Sequence, residues 1–375
     1  MKTNSDVVII GGGLAGLAGA LHLSQKGLTV TLIEKSGYPR HKVCGEYVSN
    51  EILPYLHWLN ADISKLHPTT INKFEFTTRK GKTAFANLPL GGFGISRYQL
   101  DNFLYQKAIA RGCIIIKEIV TNVAFDNDLF TINTSNQVLS SKIVLGAFGK
   151  RSNIDQVLSR DFFVKKSPWL AVKAHYYGVF NNDVVALHNF KGGYCGVSKV
   201  ENDIINICYL ADYETFKQYK NIEEYQRNVL YENKHLKNVL ENSTLLFDKP
   251  LTISQISFDK KKPVENHILM IGDTAGLIHP LCGNGMAMAI HSAKIASELV
   301  LDYYSGKIDS REALEKNYTQ QWRKHFGKRL FMGRVLARVL RNKTITNTLV
   351  AITVALPALL PAIIKQTHGK PIAIH

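Results

Sequence analysis

The sequence lacks the paired cysteines that build disulfide frameworks and metal clusters. Its 375 residues include five cysteines at wide spacing, with no C-x-x-C pair: Cys44, Cys113, Cys195, Cys208 and Cys282. This pattern argues against a disulfide scaffold, a zinc ribbon and an iron–sulfur cluster. We therefore expect reduced thiols, a cytoplasmic protein and no bound metal.

The sequence also lacks a long apolar run. The N-terminus leads directly into an apolar strand, so we expect no signal peptide. The uncharged stretch 348–364 is seventeen residues long and contains Pro357 and Pro361, whereas a single-pass helix needs about 20 apolar residues. With 45% hydrophobic and 20% charged residues, the composition is that of an ordinary folded protein of about two domains.

Acidic residues are missing from the last part of the chain. From Lys316 onward there are eleven Lys or Arg and no Asp or Glu, so this part holds eleven of the sixteen net positive charges. The residues before it carry the remaining five. A basic segment of this kind predicts an anionic partner.

The basic segment has the periodicity of a helix over 310–342. Trp322, Phe326, Leu330 and Gly333 recur at spacings of four, four and three, and basic residues fill much of the rest. One interpretation is a helix on an anionic membrane surface, with 348–364 entering the interface and the protein peripherally membrane-associated. The alternative is a helix that closes a domain and keeps its basic face in water. We expect no nucleic-acid binding, because the segment lacks the aromatic and polar side chains that contact bases.

A strand, a glycine turn and a helix start stand near the N-terminus. Four apolar residues, 7–10, lead into a G-x-G-x-x-G motif that includes Gly11, Gly13, Leu14, Ala15 and Gly16. The glycines permit the turn and the approach of a pyrophosphate, which the helix N-terminus attracts. A second apolar strand ends in Glu34, where an acid suits the hydroxyls of a ribose. Together these features predict a dinucleotide-binding β-α-β unit.

The remaining pattern predicts a mixed α/β fold. Residues 169–210 alternate like antiparallel strands, with a hairpin turn at Glu201–Asp203, and 285–303 read as a long helix of small residues. We predict a Rossmann-like domain made of 1–68, 96–165 and 259–305. An antiparallel β-sheet substrate domain of 69–95 and 166–258 is inserted into it. A basic amphipathic helical and apolar C-terminal region covers 306–375.

A second glycine-rich block follows a buried strand at 267–271. It places an acid at the strand end, then a proline, then Gly-x-Gly at the start of the long helix: Gly272, Asp273, Pro280, Gly283, Asn284, Gly285 and Met286. A carboxylate at a strand end can hold a polyol hydroxyl. The N–H groups at a helix start can stabilise negative charge on a flat ring.

The two glycine-rich blocks, with Glu34 and Arg97 between them, resemble flavoproteins of the geranylgeranyl reductase and aromatic (p-hydroxybenzoate) hydroxylase superfamily over residues 5–300. The resemblance implies FAD, with NAD(P)H or another electron donor. The first motif then lines the FAD pyrophosphate, Glu34 with Lys35 binds the adenosine ribose, and Arg97 lies along the FAD. Asp273 holds the ribityl chain or pyrophosphate, and 283–285 lie beside the flavin ring. Arg40 either neutralises a phosphate or sits in a solvated loop.

The resemblance also implies catalytic candidates. Cys44 belongs to a Cys-Gly loop like that of the reductase branch, and it either donates a proton near the flavin or packs as a small buried side chain. His279 is expected to face the flavin and donate a proton, with a backbone-capping role as the alternative.

The predicted substrate residues are Gly193, Tyr194 and His188, on inserted strands. Gly193-Tyr194 is similar to the start of the reductase branch's substrate motif, but the usual tryptophan is missing and Gly196 stands nearby. This difference predicts a widened or reshaped pocket.

The function is predicted from this resemblance. The expected reaction is FAD-dependent reduction of a carbon–carbon double bond in a lipid-, isoprenoid- or polyketide-like substrate. One alternative is an aromatic monooxygenase. The superfamily's Gly-Ala-Asp-Gly motif has Phe148 in place of the acid, and no second G-x-G-x-x-G occurs, which together weaken hydroxylase-style use of NAD(P)H. A halogenase is disfavoured because no Trp-x-Trp-x-Ile-Pro stretch occurs. The other alternative is a non-catalytic, membrane-peripheral FAD-binding protein.

Overall fold

A computed structural model describes residues 3–341, 345, 348, 352, 356 and 358–374. Seven of the seventeen residues in the stretch 348–364, which was predicted to enter a membrane interface, therefore lie outside the described residues. In the part that is described, the chain alternates between two sheets and the helices that cover them.

The described strands are, in chain order, β1 (Thr3–Ile10), β2 (Val30–Ile33), β3 (Tyr47–Ser49), β4 (Thr69–Thr77), β5 (Thr83–Gly94), β6 (Ile114–Ile116), β7 (Val120–Asp126), β8 (Leu129–Thr134), β9 (Val138–Gly146), β10 (Trp169–Gly178), β11 (Val184–Phe190), β12 (Gly193–Lys199), β13 (Ile205–Asp212), β14 (Ser243–Leu245), β15 (Leu251–Ser254), β16 (Val264–Glu265) and β17 (Ile268–Met270). The described α-helices are α1 (Leu14–Gln25), α2 (Leu53–Trp58), α3 (Arg97–Ala110), α4 (Asn153–Val157), α5 (Tyr213–Phe216), α6 (Ile222–Asn228), α7 (Lys234–Glu241), α8 (Gly285–Tyr304), α9 (Arg311–Arg341) and α10 (Leu359–Thr367).

The first sheet has the order β16-β17-β9-β1-β2-β6, and its core pairs, β17·β9, β9·β1, β1·β2 and β2·β6, are parallel. Strand β1 is a continuous apolar run whose residues 7–10 are all buried. Such runs are typical of parallel strands that are covered on both faces. Helices α1 and α8 pack against each other on this unit. The predicted Rossmann-like fold is confirmed.

The second sheet has the order β14-β10-β13-β12-β11-β4-β5-β3, and β11·β4 is its parallel pair. Side chains alternate between its faces. On β10, Val172 and Ala174 join the apolar layer beneath α6 and α7, whereas Lys173 and His175 face the first sheet's domain. Strand β3 pairs with β5 in this sheet, although residues 47–49 were predicted to belong to the Rossmann-like domain, as part of 1–68.

Helix α9 differs from the membrane-surface helix of the sequence prediction, because its apolar face is packed on the protein. Trp322 and Phe326 are buried. A Cβ atom on Gly333 would lie 3.2 Å from the Cys282 sulfur. The helix therefore closes the nucleotide-binding unit, with basic side chains exposed on its other face. None of the described helices is both long enough and apolar enough to cross a membrane.

Candidate functional site

Both glycine-rich blocks and the inner face of the second sheet open onto one cavity of about 690 Å³. Of the predicted site residues, those that line it are Gly11, Gly13, Leu14, Ala15, Glu34, Lys35, Arg40, Cys44, Arg97, Tyr194, Gly272, Asp273, Pro280, Gly283, Asn284, Gly285 and Met286. Gly16, His188, Gly193 and His279 are not part of this lining. The fold thus brings together residues from both ends of the chain.

The first glycine turn is shaped by close backbone contacts. Gly11 has a φ of 107°, and a Cβ atom there would lie 2.3 Å from the Ala147 carbonyl oxygen. A Cβ atom on Gly16 would lie 2.0 Å from the Gly11 carbonyl oxygen. At Gly13, by contrast, the nearest atom would be an Arg97 nitrogen at 3.8 Å. This open position leaves room for a ligand to approach the backbone.

The N-terminus of α1 is suited to a phosphate. Its N-cap, Gly13, provides no side-chain cap, and the first turn contains no acidic residue. The first N–H groups of a helix need an external acceptor and carry a partial positive charge. The turn at Gly11 and Gly13 therefore fits the pyrophosphate of a dinucleotide.

The Glu34 carboxylate is buried beside this turn. One oxygen accepts a hydrogen bond from the Gly12 N–H at 2.8 Å, and the other accepts from the Ser36 N–H at 3.0 Å and from Arg40 at 2.8 Å. A carboxylate has about four acceptor positions. Three are occupied, so one remains for a ribose hydroxyl. Arg40 is paired with Glu34 and is not simply a solvated loop residue.

A buried polar network fixes the second glycine block. The Asn284 side chain donates to Glu51 at 3.2 Å and accepts from Arg329 of α9 at 3.1 Å. Arg329 also lies 3.2 Å from Glu51. Burial raises the pKa of the Glu51 carboxyl. This network holds Asn284, the N-cap residue of α8. The first turn of α8 has no capping side chain, and the first two residues of the helix line the cavity.

Cys44 lies where the nucleotide-binding unit meets the second sheet. Asn206 of β13 donates to the Cys44 carbonyl at 3.3 Å. The Arg97 guanidinium reaches the Cys44 thiol and binds Asp101 through two hydrogen bonds, 2.6 and 2.7 Å long. Lys42 also contacts Asp101, at 2.7 Å. Burial alone would raise the pKa of Asp101, but these two cations hold it below its usual value.

A buried charge cluster beside Cys44 was missed by sequence reasoning. Glu46 accepts hydrogen bonds from Lys173 at 2.9 Å and from His175 at 2.6 Å, and the His41 ring packs edge-on against His175 with their centroids 5.0 Å apart. Burial would raise the pKa of Glu46, but His175 and Lys173 lower it. The available signal was Lys173 and His175 two residues apart on one face of an otherwise apolar strand.

The structure corrects the expected orientation of His279. Its ring is buried among Phe258, Tyr194 and Trp169, at centroid distances of 4.4, 5.6 and 6.1 Å. Its neighbours Ile278 and Pro280 line the cavity, but the His279 ring packs behind that wall. Its proposed role as a proton donor facing the flavin does not match this position.

His188 is also misplaced as a substrate residue. Strand alternation turns it to the face of the second sheet opposite the cavity, where it hydrogen-bonds Thr77 at 2.8 Å and stacks on His235. Burial lowers the pKa of His188 to about 3. Gly193 has a packing role, since a Cβ atom there would lie 2.1 Å from the Leu210 carbonyl oxygen. Tyr194 does line the cavity.

The C-terminal segment, residues 358–374, contributes a wall that the sequence did not predict. Ile364, Thr367 and His368 line the cavity. Leu360 and Ile364 pack in the same apolar cluster as Tyr194. No periodicity links these residues to the second sheet, so sequence reasoning had no signal for this contact.

Comparisons with known proteins agree with the geometry. A family model described as FAD dependent oxidoreductase matches residues 6–42. A digeranylgeranylglycerophospholipid reductase from Methanococcus vannielii is 23% identical over 345 residues, which cover 87% of this chain and 84% of the relative.

Two solved structures have the same fold. A flavin-dependent brominase superposes with a TM-score of 0.80 at 19% identity, over 97% of this chain and 93% of that one. A geranylgeranyl bacteriochlorophyll reductase-like protein from Thermoplasma acidophilum has a TM-score of 0.76 at 19% identity, over 98% and 97% of the two chains. At these identities the similarity concerns the fold.

Proposed function

We propose that this chain, as an FAD-dependent oxidoreductase of the geranylgeranyl reductase and aromatic hydroxylase superfamily, reduces a carbon–carbon double bond. The substrate that carries this bond is a long apolar molecule. The observation that carries the proposal is a single cavity that runs from the two glycine turns to an apolar sheet face. When bound and reduced, FAD would supply the hydride for such a reduction.

The substrate half of the cavity suits an isoprenoid- or lipid-like molecule. Its wall is largely apolar and includes Phe74, Leu88, Leu187, Leu210 and Leu281. A Cβ atom on Gly196 would meet only the Cys208 carbonyl oxygen, at 3.6 Å. The missing side chain therefore leaves space for a substrate chain over the centre of the sheet.

Cys44 is the proposed proton donor to the substrate carbon. It lines the cavity between the glycine turns and the apolar sheet face, and the Asn206 amide donates a hydrogen bond to its carbonyl oxygen. Arg97 lines the same part of the cavity. NAD(P)H or another reductant would supply the electrons for the next turnover.

One relative and one loop residue also support reduction. The Methanococcus vannielii relative is, by its name, a reductase of a digeranylgeranyl glycerophospholipid. The substitution of Phe148 for an acid in the Gly146–Gly149 loop removes a carboxylate from the cavity wall. Both points favour reduction over hydroxylation.

The test is a reoxidation experiment. The purified protein, reduced with one equivalent of dithionite, is mixed with geranylgeraniol or a geranylgeranyl glycerolipid, with and without oxygen, and flavin absorbance is followed. Reoxidation without oxygen and a product two hydrogens heavier support the reductase. A product with an added oxygen atom, formed only in air, indicates the monooxygenase instead. Colourless protein without affinity for FAD overturns both.

We also propose that the basic face of α9 binds an anionic membrane surface. Arg323, Lys324 and Lys328 are exposed there, and each cation near such a surface contributes about 1 kcal/mol. Because the apolar face of the helix is packed on the protein, this attraction is electrostatic and does not require insertion.

A further inference from the structure

We infer that the C-terminal helix α10 completes the substrate site and that its Ile364 limits the bulk of the apolar chain that enters. The inference rests on the proposed function and deepens it, because it names a residue that selects between straight and methyl-branched chains. Such chains differ in width at equal length, so a wall residue of fixed size can distinguish them.

The chain that follows α10 is anchored to the nucleotide-binding unit. A Cβ atom on Gly369 would overlap an Arg329 nitrogen and a Glu51 oxygen, so the backbone lies directly against this ion pair. The Ile372 N–H donates to the Glu51 carbonyl at 2.8 Å, and the Ile372 side chain is buried in the main core. The helix is therefore held in place as a fixed wall of the cavity.

One face of α10 is turned toward the protein. Leu360, Ile364 and Thr367 are buried at spacings of four and three, whereas Lys365 and Gln366 are exposed. Residues at these spacings share one side of a helix. Within this buried face, Ile364 and Thr367 line the cavity and Leu360 does not. Ile364 is therefore the large apolar side chain that α10 presents to the cavity.

Ile364 packs beside the inner face of the second sheet. It belongs to one apolar cluster with Tyr194 of β12 and Leu210 of β13, and these two side chains also line the cavity. Gly196 lies two residues along β12 from Tyr194, on the same face of the strand, where the missing side chain leaves open space. An apolar chain that lies over Gly196 and runs along β12 toward Tyr194 therefore meets Ile364.

Ile364 also lies near the part of the cavity that is proposed to hold the flavin. Leu281, within the second glycine block, packs against the same cluster and lines the cavity. Thr367 and His368 line it too, and the His368 ring packs against Tyr47 with their centroids 6.3 Å apart. A chain whose double bond reaches the flavin would therefore place its branches beside Ile364.

The test compares two ligands with the same main chain: hexadecanoic acid, and phytanic acid, which carries methyl branches on that chain. Because their carboxylates are identical, the ratio of their dissociation constants reports the branches alone. Both constants are measured by titration calorimetry on the oxidised, FAD-loaded full chain, so that turnover is not required.

Two variants of Ile364 should shift this ratio in opposite directions. Ile364→Trp narrows the cavity, so we expect it to weaken binding of phytanic acid about tenfold relative to hexadecanoic acid. Ile364→Ala leaves a gap that the branches can fill, so the ratio should shift about threefold toward phytanic acid. FAD affinity should persist in both variants.

Two matched controls separate the wall from the helix as a whole. Gln366→Trp adds the same bulk on the exposed side of α10. Leu360→Ala removes apolar atoms from the same cluster at a position that does not line the cavity. Both controls should keep the wild-type ratio, although Leu360→Ala should lower the thermal unfolding temperature.

The inference is overturned if a folded Ile364 variant leaves the ratio unchanged or shifts it the other way, if Leu360→Ala shifts it equally, or if the wild type binds neither acid. If Ile364→Trp does not fold, Ile364→Ala decides the outcome alone. Shifted ratios in a protein that reduces no double bond overturn the reductase proposal and leave the inference standing. Reduction of geranylgeraniol without shifted ratios overturns the inference alone.

Discussion

The Lys173 ammonium lies 2.9 Å from a Glu46 carboxylate oxygen, and neither side chain is exposed to solvent. The pair joins the loop that carries Cys44 to strand β10 of the second sheet. Removing one partner of a buried pair leaves an uncompensated charge. We expect Lys173→Met to lower the free energy of unfolding by about 3 kcal/mol.

The control for this pair is a double-mutant cycle. The double variant, Glu46→Gln together with Lys173→Met, should be less destabilised than the single variant Lys173→Met, because no carboxylate is then left without its cation. Urea unfolding of the four proteins measures the coupling. Strictly additive effects would show that the two groups do not stabilise each other.

Gly13 and Gly16 should respond differently to the same methyl group. Gly13→Ala points its methyl into the cavity, so we expect normal stability of the apoprotein and at least tenfold weaker FAD binding. Gly16→Ala places a methyl group 2.0 Å from the Gly11 oxygen, so the fold itself should suffer. Thermal unfolding of the apoprotein and fluorescence titration with FAD separate the two effects. Unchanged FAD affinity in Gly13→Ala would contradict the proposed phosphate position.

Gly196 should control the length or bulk of the ligand. Gly196→Trp fills space above the centre of the sheet, so we expect FAD binding to persist while affinity for a fluorescent fatty acid falls by about tenfold, which equals about 1.4 kcal/mol. Gly196→Ala should cause a much smaller loss. If Trp at this position leaves the affinity unchanged, the apolar ligand does not lie over β12.

His188 should make the protein sensitive to acid. Its pKa is lowered to about 3 in the folded protein, whereas an unfolded histidine titrates near 6.5. Below pH 6.5 the unfolded chain takes up a proton that the folded protein does not bind, so stability falls as the pH falls toward 3. At pH 5 this amounts to about 2 kcal/mol.

Asn at position 188 removes the titrating group and keeps an acceptor for Thr77. The difference between the urea midpoints at pH 7 and pH 5 should therefore be smaller in His188→Asn than in the wild type. His57→Asn, at an exposed position, serves as the control and should leave the wild-type pH dependence unchanged. A His188→Asn protein that loses stability as steeply as the wild type would show that this ring does not drive the acid sensitivity.

The basic face of α9 should bind anionic vesicles through charge alone. Replacing Arg323, Lys324 and Lys328 with Gln should remove about 3 kcal/mol of attraction, and added salt should weaken wild-type binding. The matched control replaces three exposed lysines elsewhere, Lys65, Lys80 and Lys237. Cosedimentation with phosphatidylserine vesicles measures the difference. Equal loss in both triple variants would indicate a general charge effect rather than a surface on α9.

Local patterns in the sequence determined most of the fold. The glycine motif, Glu34 and the block after Ile271 each require a particular backbone path. They therefore predicted the nucleotide-binding unit and the part of the cavity that is built from residues at both ends of the chain. The long helices at 285–303 and 310–342 followed from periodicity and are found at Gly285–Tyr304 and Arg311–Arg341. These features depend on residues close together in the chain.

Only the tertiary structure decided which side chains share the cavity. Whether His188 or Lys173 faces inward depends on the placement of whole strands, because neighbouring residues on a strand point to opposite faces. The Lys173 and His175 side chains that bind Glu46 are more than a hundred residues away along the chain. The packing of α9 on the nucleotide-binding unit and the position of His368 in the cavity wall depend on contacts between distant elements. A local sequence pattern does not predict such contacts.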